Sequence, residues 1–187
     1  MGGPLDLLLT RRSVGRVRPD PIPRTLVEEV LHAATMAPNH HLTQPWRFIV
    51  IAGDGRRAIG AAHAAAVARG RPDAPPATLE REAARLERAP VVVACVVTGG
   101  SQDPVRARED RDAVAAAVQN LLLAAHALGL AAMWRTGTMV DEPEVRTALG
   151  LGGDASIVAF VYLGWAATVP AGRERRPLGD VVEWRDR

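Results

Sequence analysis

An α+β fold, one domain of helices packed about a sheet, is what this sequence predicts. A chain of 187 residues suits a single domain, and a hydrophobic content of 48% is enough to build its core. Short runs rich in apolar residues, RFIVIA, PVVVACVV, LAAMWRTG and SIVAFVYLG, read as strands. Longer stretches with helical spacing separate them.

Residues 5–12, LDLLLTRR, carry apolar side chains densely enough for a short helix ending near Ser13, and VGRVRPDPIP then reads as extended chain. Thr25 and Glu28 have the spacing of a capping box, and Leu26, Val30, Ala33 and Ala37 recur as a buried stripe. A second helix is therefore expected over about 25–37, stopped by Pro38. The loop PNHHLTQPW at 38–46 leads into a strand at 47–52, and GDG at 53–55 turns the chain. Helices rich in alanine and arginine are expected at about 56–70 and 78–88, parted by the prolines of GRPDAPPA. The whole region 53–90 is expected to act as a flap over a pocket.

The consecutive apolar residues of 90–97 suit a strand covered on both faces. A long helix over about 105–128 follows, with Ala117, Leu121, Leu122, Ala125 and Leu128 on one face and Gly129 to end it. Residues 130–137 read as a strand entering a functional turn. Asp141, Glu144 and Gly150 mark a short capped helix over about 141–149, and 156–164 is the last strand. The tail, 165–187, is too polar for a core until VVEW, so it is expected to lie on this subunit or on another.

Composition excludes several functions. The 23 basic side chains are all arginine and face 21 acidic ones, a net charge of +2 that argues against a nucleic-acid groove. Cys95 is the only cysteine and lies in an apolar run, so it is expected to be a buried, inert thiol. No run approaches a membrane span, and the N-terminus has no basic region ahead of its apolar stretch, so a cytoplasmic protein is expected.

The motif GDGRRA at 53–58 fits the loose dinucleotide-binding pattern, with Asp73 downstream. It falls after two helices and a long loop, however, and Asp73 lies among prolines, so a plain turn is the better reading. There is no G-x-S-x-G elbow, and Ser13, Ser101 and Ser156 have no nucleophile context. No metal site is expected: His40 and His41 are adjacent and should point differently, while His32, His63 and His126 are isolated on helical patterns. Two arginine clusters stand out, Arg11-Arg12 beside Ser13 and Arg173, Arg175 and Arg176 in the tail. Guanidinium groups bind phosphate through paired hydrogen bonds, so the clusters could clamp one phosphate if folding joins them. On spacing alone a solvated arginine surface stays open as the alternative.

The sequence resembles the nitroreductase family of FMN-dependent oxidoreductases, most closely its short members. The resemblance is carried, in family order, by RRSVGRV (11–17), APNHHLTQPWRFIVI (37–51), RAPVVVACV (88–96), the long helix with Gln119 and Asn120, GLAAMWRTG (129–137), FVYLGWA (160–166) and GRERRPL (172–178). It implies a central, mostly antiparallel sheet flanked by helices, in an intertwined homodimer with FMN sites at the interface. Arg11, Arg12 and Ser13 match the triplet used on the FMN phosphate and ribityl chain, and Arg173 and Arg175 match the tail clamp on that phosphate. Pro38, Asn39 and His40 match a loop that reaches the flavin of the second subunit, with Gln44 and Trp46 supporting it. Trp134, Arg135, Thr136 and Gly137 match the strand end whose backbone amides face the isoalloxazine ring. Met36 and His41 depart from the family pattern, at positions where relatives can carry basic residues.

The resemblance further implies NADH or NADPH as electron donor and a small electron-poor acceptor, such as a nitroaromatic or a quinone, in ping-pong alternation. The flavin would carry the chemistry, so no side chain is assigned as an obligatory acid or base. Relatives with other reactions, including reductive dehalogenation, flavin fragmentation and deazaflavin chemistry, and a flavin-binding protein with little turnover, are the alternatives.

Overall fold

The structure, a computed structural model, describes residues 3–99 and 101–186. Its strands are β1 (Trp46–Ala52), β2 (Val91–Val97), β3 (Ala131–Arg135) and β4 (Ser156–Gly164), hydrogen-bonded in the order β1-β2-β4-β3. Every pairing is antiparallel. The α+β class is therefore as expected, and β4 spans the residues read as the last strand.

Strand β2 has no polar side chain because both its faces are covered. Val91, Val93, Cys95 and Val97 face one layer, formed by helices α2 (Arg24–Ala34) and α5 (Pro104–Ala127). Val92, Ala94 and Val96 face a second layer. That layer includes Ile59 of α3 (Gly55–Gly70), Leu86 and Val145 of α6 (Pro143–Ala148). Neighbouring strand residues point to opposite faces, so an uninterrupted apolar run is what a sheet buried between two helical layers requires. The register shifts between Cys95 and Val96, where Val158 is the extra residue of β4.

Helix α5 fills the centre of the first layer, with Val114, Ala117, Val118, Leu121 and Ala125 fully buried. Asp103 caps its start, accepting from the Val105 N–H at 2.9 Å. Gly129, at φ 76°, ends it and lets the Leu130 N–H reach back to Ala125 O at 2.8 Å.

The other helices correct the sequence reading in detail. Pro23, not a side chain, occupies the N-cap of α2, and no Thr25–Glu28 capping box forms. Glu28 accepts instead from Arg24 Nε at 2.7 Å. The buried stripe there is Val27, Val30, Ala34 and Ala37, so the helix is rotated from the expected face, and it ends at Ala34 before a turn carries the chain to Pro38. Helix α6 begins at Pro143 with Glu142 at its N-cap, so Asp141 does not cap it. Proline suits the first helical position, where its missing N–H has no intrahelical partner.

Of the region read as a flap, α3 and the turn at Ala84–Arg88 belong to the core through Ile59, Ala66 and Leu86. Helix α4 (Pro76–Ala83) has no buried residue. Gly60 lets α3 approach the end of α4: a Cβ there would lie 1.8 Å from the Ala83 carbonyl oxygen. Helix α1 (Pro4–Thr10) touches the end of α5, with Thr10 Oγ1 2.9 Å from His126 Nε2. Trp165 and Ala166 are half-buried after β4, and the described chain from Ala167 on is exposed, including Val181, Val182 and Trp184. Among the described residues, no helix is long and apolar enough to cross a membrane.

Candidate functional site

Strand β3 lies at the rim of the sheet, and residues 11–17 run along its outer side. Ser13 bridges Ala132 in parallel, and the Val14 N–H donates to Ala132 O at 3.1 Å. The chain leaving β4 returns beside the same segment, where Val17 bridges Ala166 and the Ala167 N–H donates to Arg16 O at 3.0 Å. Residues 11–17 and the segment that follows β4 are thus brought together at one edge.

Arg12 folds back over the end of α1, donating from Nη1 to Leu9 O at 2.8 Å and to Arg11 O at 2.9 Å. The tail crosses this guanidinium at Gly172, where a Cβ would stand 2.7 Å from Arg12 Nη2. Beside this crossing is a cavity of about 510 Å³ into which Arg11, Arg12, Ser13, Met133, Arg173 and Arg175 all open. Among the described residues, no acidic side chain lines it. Among the described residues, Arg11 Nη1 is buried without a hydrogen-bond partner. Guanidinium groups that line one cavity repel one another, and a buried unpaired N–H is costly, so the cavity as built suits an anion with several acceptor oxygens. A phosphate has that chemistry, and the FMN phosphate fits the donor set. The two arginine clusters of the sequence are therefore joined, without Arg176 in the lining. Met133, Gly172 and Pro170 were not singled out by sequence reasoning.

The strand end divides its residues between two faces. Trp134 packs on the layer formed by α2 and α5, whereas Met133 packs on the opposite one. Thr136 and Gly137 are exposed, and Gly137 turns the chain at φ 104°, a conformation that strongly favours glycine.

Pro38, Asn39 and His40 lie elsewhere, along an open groove with Glu109 and Asp112 at the start of α5. Within one chain they do not share the arginine cavity. The loop is braced by the Gln44 N–H donating to Asn39 Oδ1 at 3.0 Å and by Thr43 Oγ1 donating to the buried Asp110 at 2.7 Å. His40 and His41 do not diverge as expected: their ring centroids are 4.0 Å apart. His41 and Leu42 have φ values of 56° and 52°, and this left-handed turn brings the rings together. Glu109 lies 3.1 Å from His40 Nδ1, and the three side chains' donor atoms fall within 4.8 Å of one another, close enough to hold a metal ion.

GDGRRA serves the fold. Gly53, at φ 53°, makes the turn, Arg56 Nη1 donates to Ala89 O at 2.7 Å, and Arg57 lies near Asp54 and Glu87. Asp73 is exposed between α3 and α4. His63, by contrast, is buried between carboxylates, with Nδ1 2.6 Å from Glu142 and Nε2 3.3 Å from Glu82. Cys95 is fully buried, and burial pushes its thiol pKa up to about 12.

The fold and edge cavity can be compared with known proteins. The nitroreductase family profile matches residues 8–165, from α1 through the end of β4. The Escherichia coli protein YdjA, provisionally named an NAD(P)H nitroreductase, is 34% identical over 162 residues, covering 86% of each chain. A provisionally named nitroreductase of Desulfovibrio desulfuricans, solved in complex with FMN, superposes with a TM-score of 0.77 at 29% identity, covering 99% of this chain and 98% of that one. The Bacillus cereus nitroreductase-like family protein superposes with a TM-score of 0.88 at 24% identity, over 100% of this chain and 97% of its own. With the antiparallel sheet, its flanking helices and nearly the whole length accounted for, this chain belongs to the nitroreductase family.

Proposed function

We propose that the protein is an FMN-dependent oxidoreductase that draws electrons from NADH or NADPH and delivers them to a small electron-poor acceptor. The observation that carries this reading is the cavity lined by Arg11, Arg12, Arg173 and Arg175, which among the described residues has no acid in its lining and leaves Arg11 Nη1 buried and unpaired. The E. coli and Desulfovibrio relatives, by their names and the bound FMN, support it. Bound FMN would supply two-electron hydride chemistry that no side chain of the protein provides.

The residues have separable tasks. The four arginines hold the phosphate, with Ser13 beside them. Exposed Thr136 and Gly137, at the end of β3, offer backbone amides to the ring. Donor and acceptor occupy the same space in turn, which gives ping-pong kinetics without a protein nucleophile. Nitroaromatics and quinones are the acceptor classes.

The same reading makes the active form a cytoplasmic homodimer of single-domain chains. Pro38, Asn39 and His40 lie outside the arginine cavity of their own chain, consistent with service to the partner's site. The exposed Val181, Val182 and Trp184 offer apolar surface for such a partner.

Purified protein is expected to be yellow, to release FMN on denaturation, and to be bleached by NADH or NADPH and recoloured by an acceptor. Sedimentation is expected at about twice the 19.9 kDa chain mass. Colourless protein that takes up no added FMN overturns the reading.

A further inference from the structure

We propose that the Arg135 guanidinium supplies the positive charge that stabilises the reduced, anionic flavin, a role for its side chain where the sequence pointed only to its backbone. This inference rests on the FMN reading above. Met133 and Arg135 are two residues apart on β3 and so project from the same face. Met133 lines the arginine cavity, and Arg135 follows it on that face, just beyond the residues that line it. Gly15, two residues beyond the cavity-lining Ser13, faces the same pair: a Cβ there would lie 3.0 Å from Met133 Sδ and 3.9 Å from Arg135 Nη2. Glycine at 15 thus leaves room for the Met133 thioether and sets the Arg135 guanidinium at ordinary contact distance from the segment that follows Ser13.

The charge there is held without being neutralised. Arg135 is half-buried and, among the described residues, makes no ion pair or side-chain hydrogen bond. Its guanidinium carbon sits 5.5 Å from the centre of the Tyr162 ring. That ring is fixed in turn, because Tyr162 Oη donates to Arg85 O at 3.2 Å. A guanidinium stacked on an aromatic face keeps its N–H groups free at its edge. The charged groups around Tyr162 are Arg135, Arg85, Arg88 and Glu82. Glu82 is already engaged by Arg85, Arg81 and His63. The surroundings are therefore net positive, and the free charge lies on β3 just before the Thr136–Gly137 turn.

The test is the midpoint potential of bound FMN in the wild type, Arg135→Met and Arg135→Lys, by dye-coupled reductive titration. Arg135→Met is expected to keep FMN bound, with affinity for the oxidised form within about threefold. Its reduced form is expected to bind at least about tenfold more weakly relative to the oxidised form, a fall of about 30 mV for a two-electron couple. Arg135→Lys is expected to recover most of that fall. An unchanged potential in Arg135→Met overturns the proposal and leaves the FMN reading intact. Proton uptake on reduction of the wild type near pH 7 gives a second measurement that needs no variant. One proton per two electrons supports an anionic reduced form, and two overturn it. Wild-type protein that binds no FMN overturns both readings.

Discussion

His63 Nδ1 stands 2.6 Å from a carboxylate oxygen of Glu142, in a buried contact that ties α3 to the N-cap of α6. The other ring nitrogen lies 3.3 Å from Glu82 at the end of α4, so one imidazole joins three elements. Each N···O contact needs a hydrogen between its atoms, and both carboxylates are more than four-fifths buried. Removing the ring leaves two buried acids without their common partner. His63→Ala is expected to lower stability by about 3–5 kcal/mol, the range for breaking a buried pair from one side. Urea denaturation monitored by circular dichroism checks this; a loss below about 1 kcal/mol would place the three groups in water.

Glu82 makes part of this stability pH-dependent. Burial pushes its pKa up, but the hydrogen bond and charge of Arg85, with the hydrogen bonds of His63 and Arg81, outweigh burial and hold it below the ordinary 4.5. A carboxyl lowered in the folded state contributes stability above its unfolded value and loses it as pH falls through the folded one. The urea midpoint is therefore expected to fall as pH drops below about 4.5, and Glu82→Gln is expected to flatten that part of the profile.

Gly60 tests the packing of the same layer. A methyl group placed 1.8 Å from the Ala83 carbonyl oxygen forces α3 away from the end of α4. Gly60→Ala is expected to lower stability by about 1–3 kcal/mol, as overpacking does, against the usual gain in helix propensity. A thermal scan that shows stabilisation would contradict the close approach.

The arginine cavity predicts its own series. Arg11→Ala and Arg175→Ala are each expected to weaken FMN by about 1.5–3 kcal/mol, the value of a hydrogen bond to a charged group. Arg57→Ala is expected to leave flavin content unchanged, since Arg57 pairs with Asp54 and Glu87 away from the cavity. Fluorescence titration with FMN measures all three.

Cys95 is expected to resist thiol reagents in the native protein near pH 8 and to react once per chain after denaturation. Its pKa near 12 and its burial beneath both helical layers' sheet leave almost no accessible thiolate.

Much of the fold was legible because its signals are local. The run Ser156–Gly164 alternates between two buried faces and is bounded by turns, so its limits could be read directly. Gly129 likewise acts on its own backbone, whereas α2 ends at Ala34, four residues before the proline expected to stop it. Caps were less legible: Thr25 and Asp141 had suitable side chains, but Pro23 and Pro143 fixed the backbone two residues away in each case. The face of α2 was misjudged because Leu26 and Val27 are both apolar, and only the packing against α5 decides between them.

The candidate site depended on contacts distant in sequence. Nothing local distinguishes Arg11 and Arg175 from other arginines in a chain without lysine; their shared cavity forms when the tail returns along residues 11–17. The pairing of His63 with Glu142 spans 79 positions and left no sequence signal. Arg135 was within reach, because Met133 two places earlier shares its face and a strand's period says so. The histidine pair shows a limit of adjacency arguments: positive φ at His41 cancels the divergence that extended backbone would give.

The crossing of Gly172 over Arg12 has a further effect, because two segments far apart in sequence, 8–13 and 170–175, line one enclosure. Clipping the chain soon after β4 would leave the sheet and its helices standing yet strip away the wall carrying Arg173 and Arg175. Captured anion would in turn shield that stretch from proteases, so digestion speed would report occupancy.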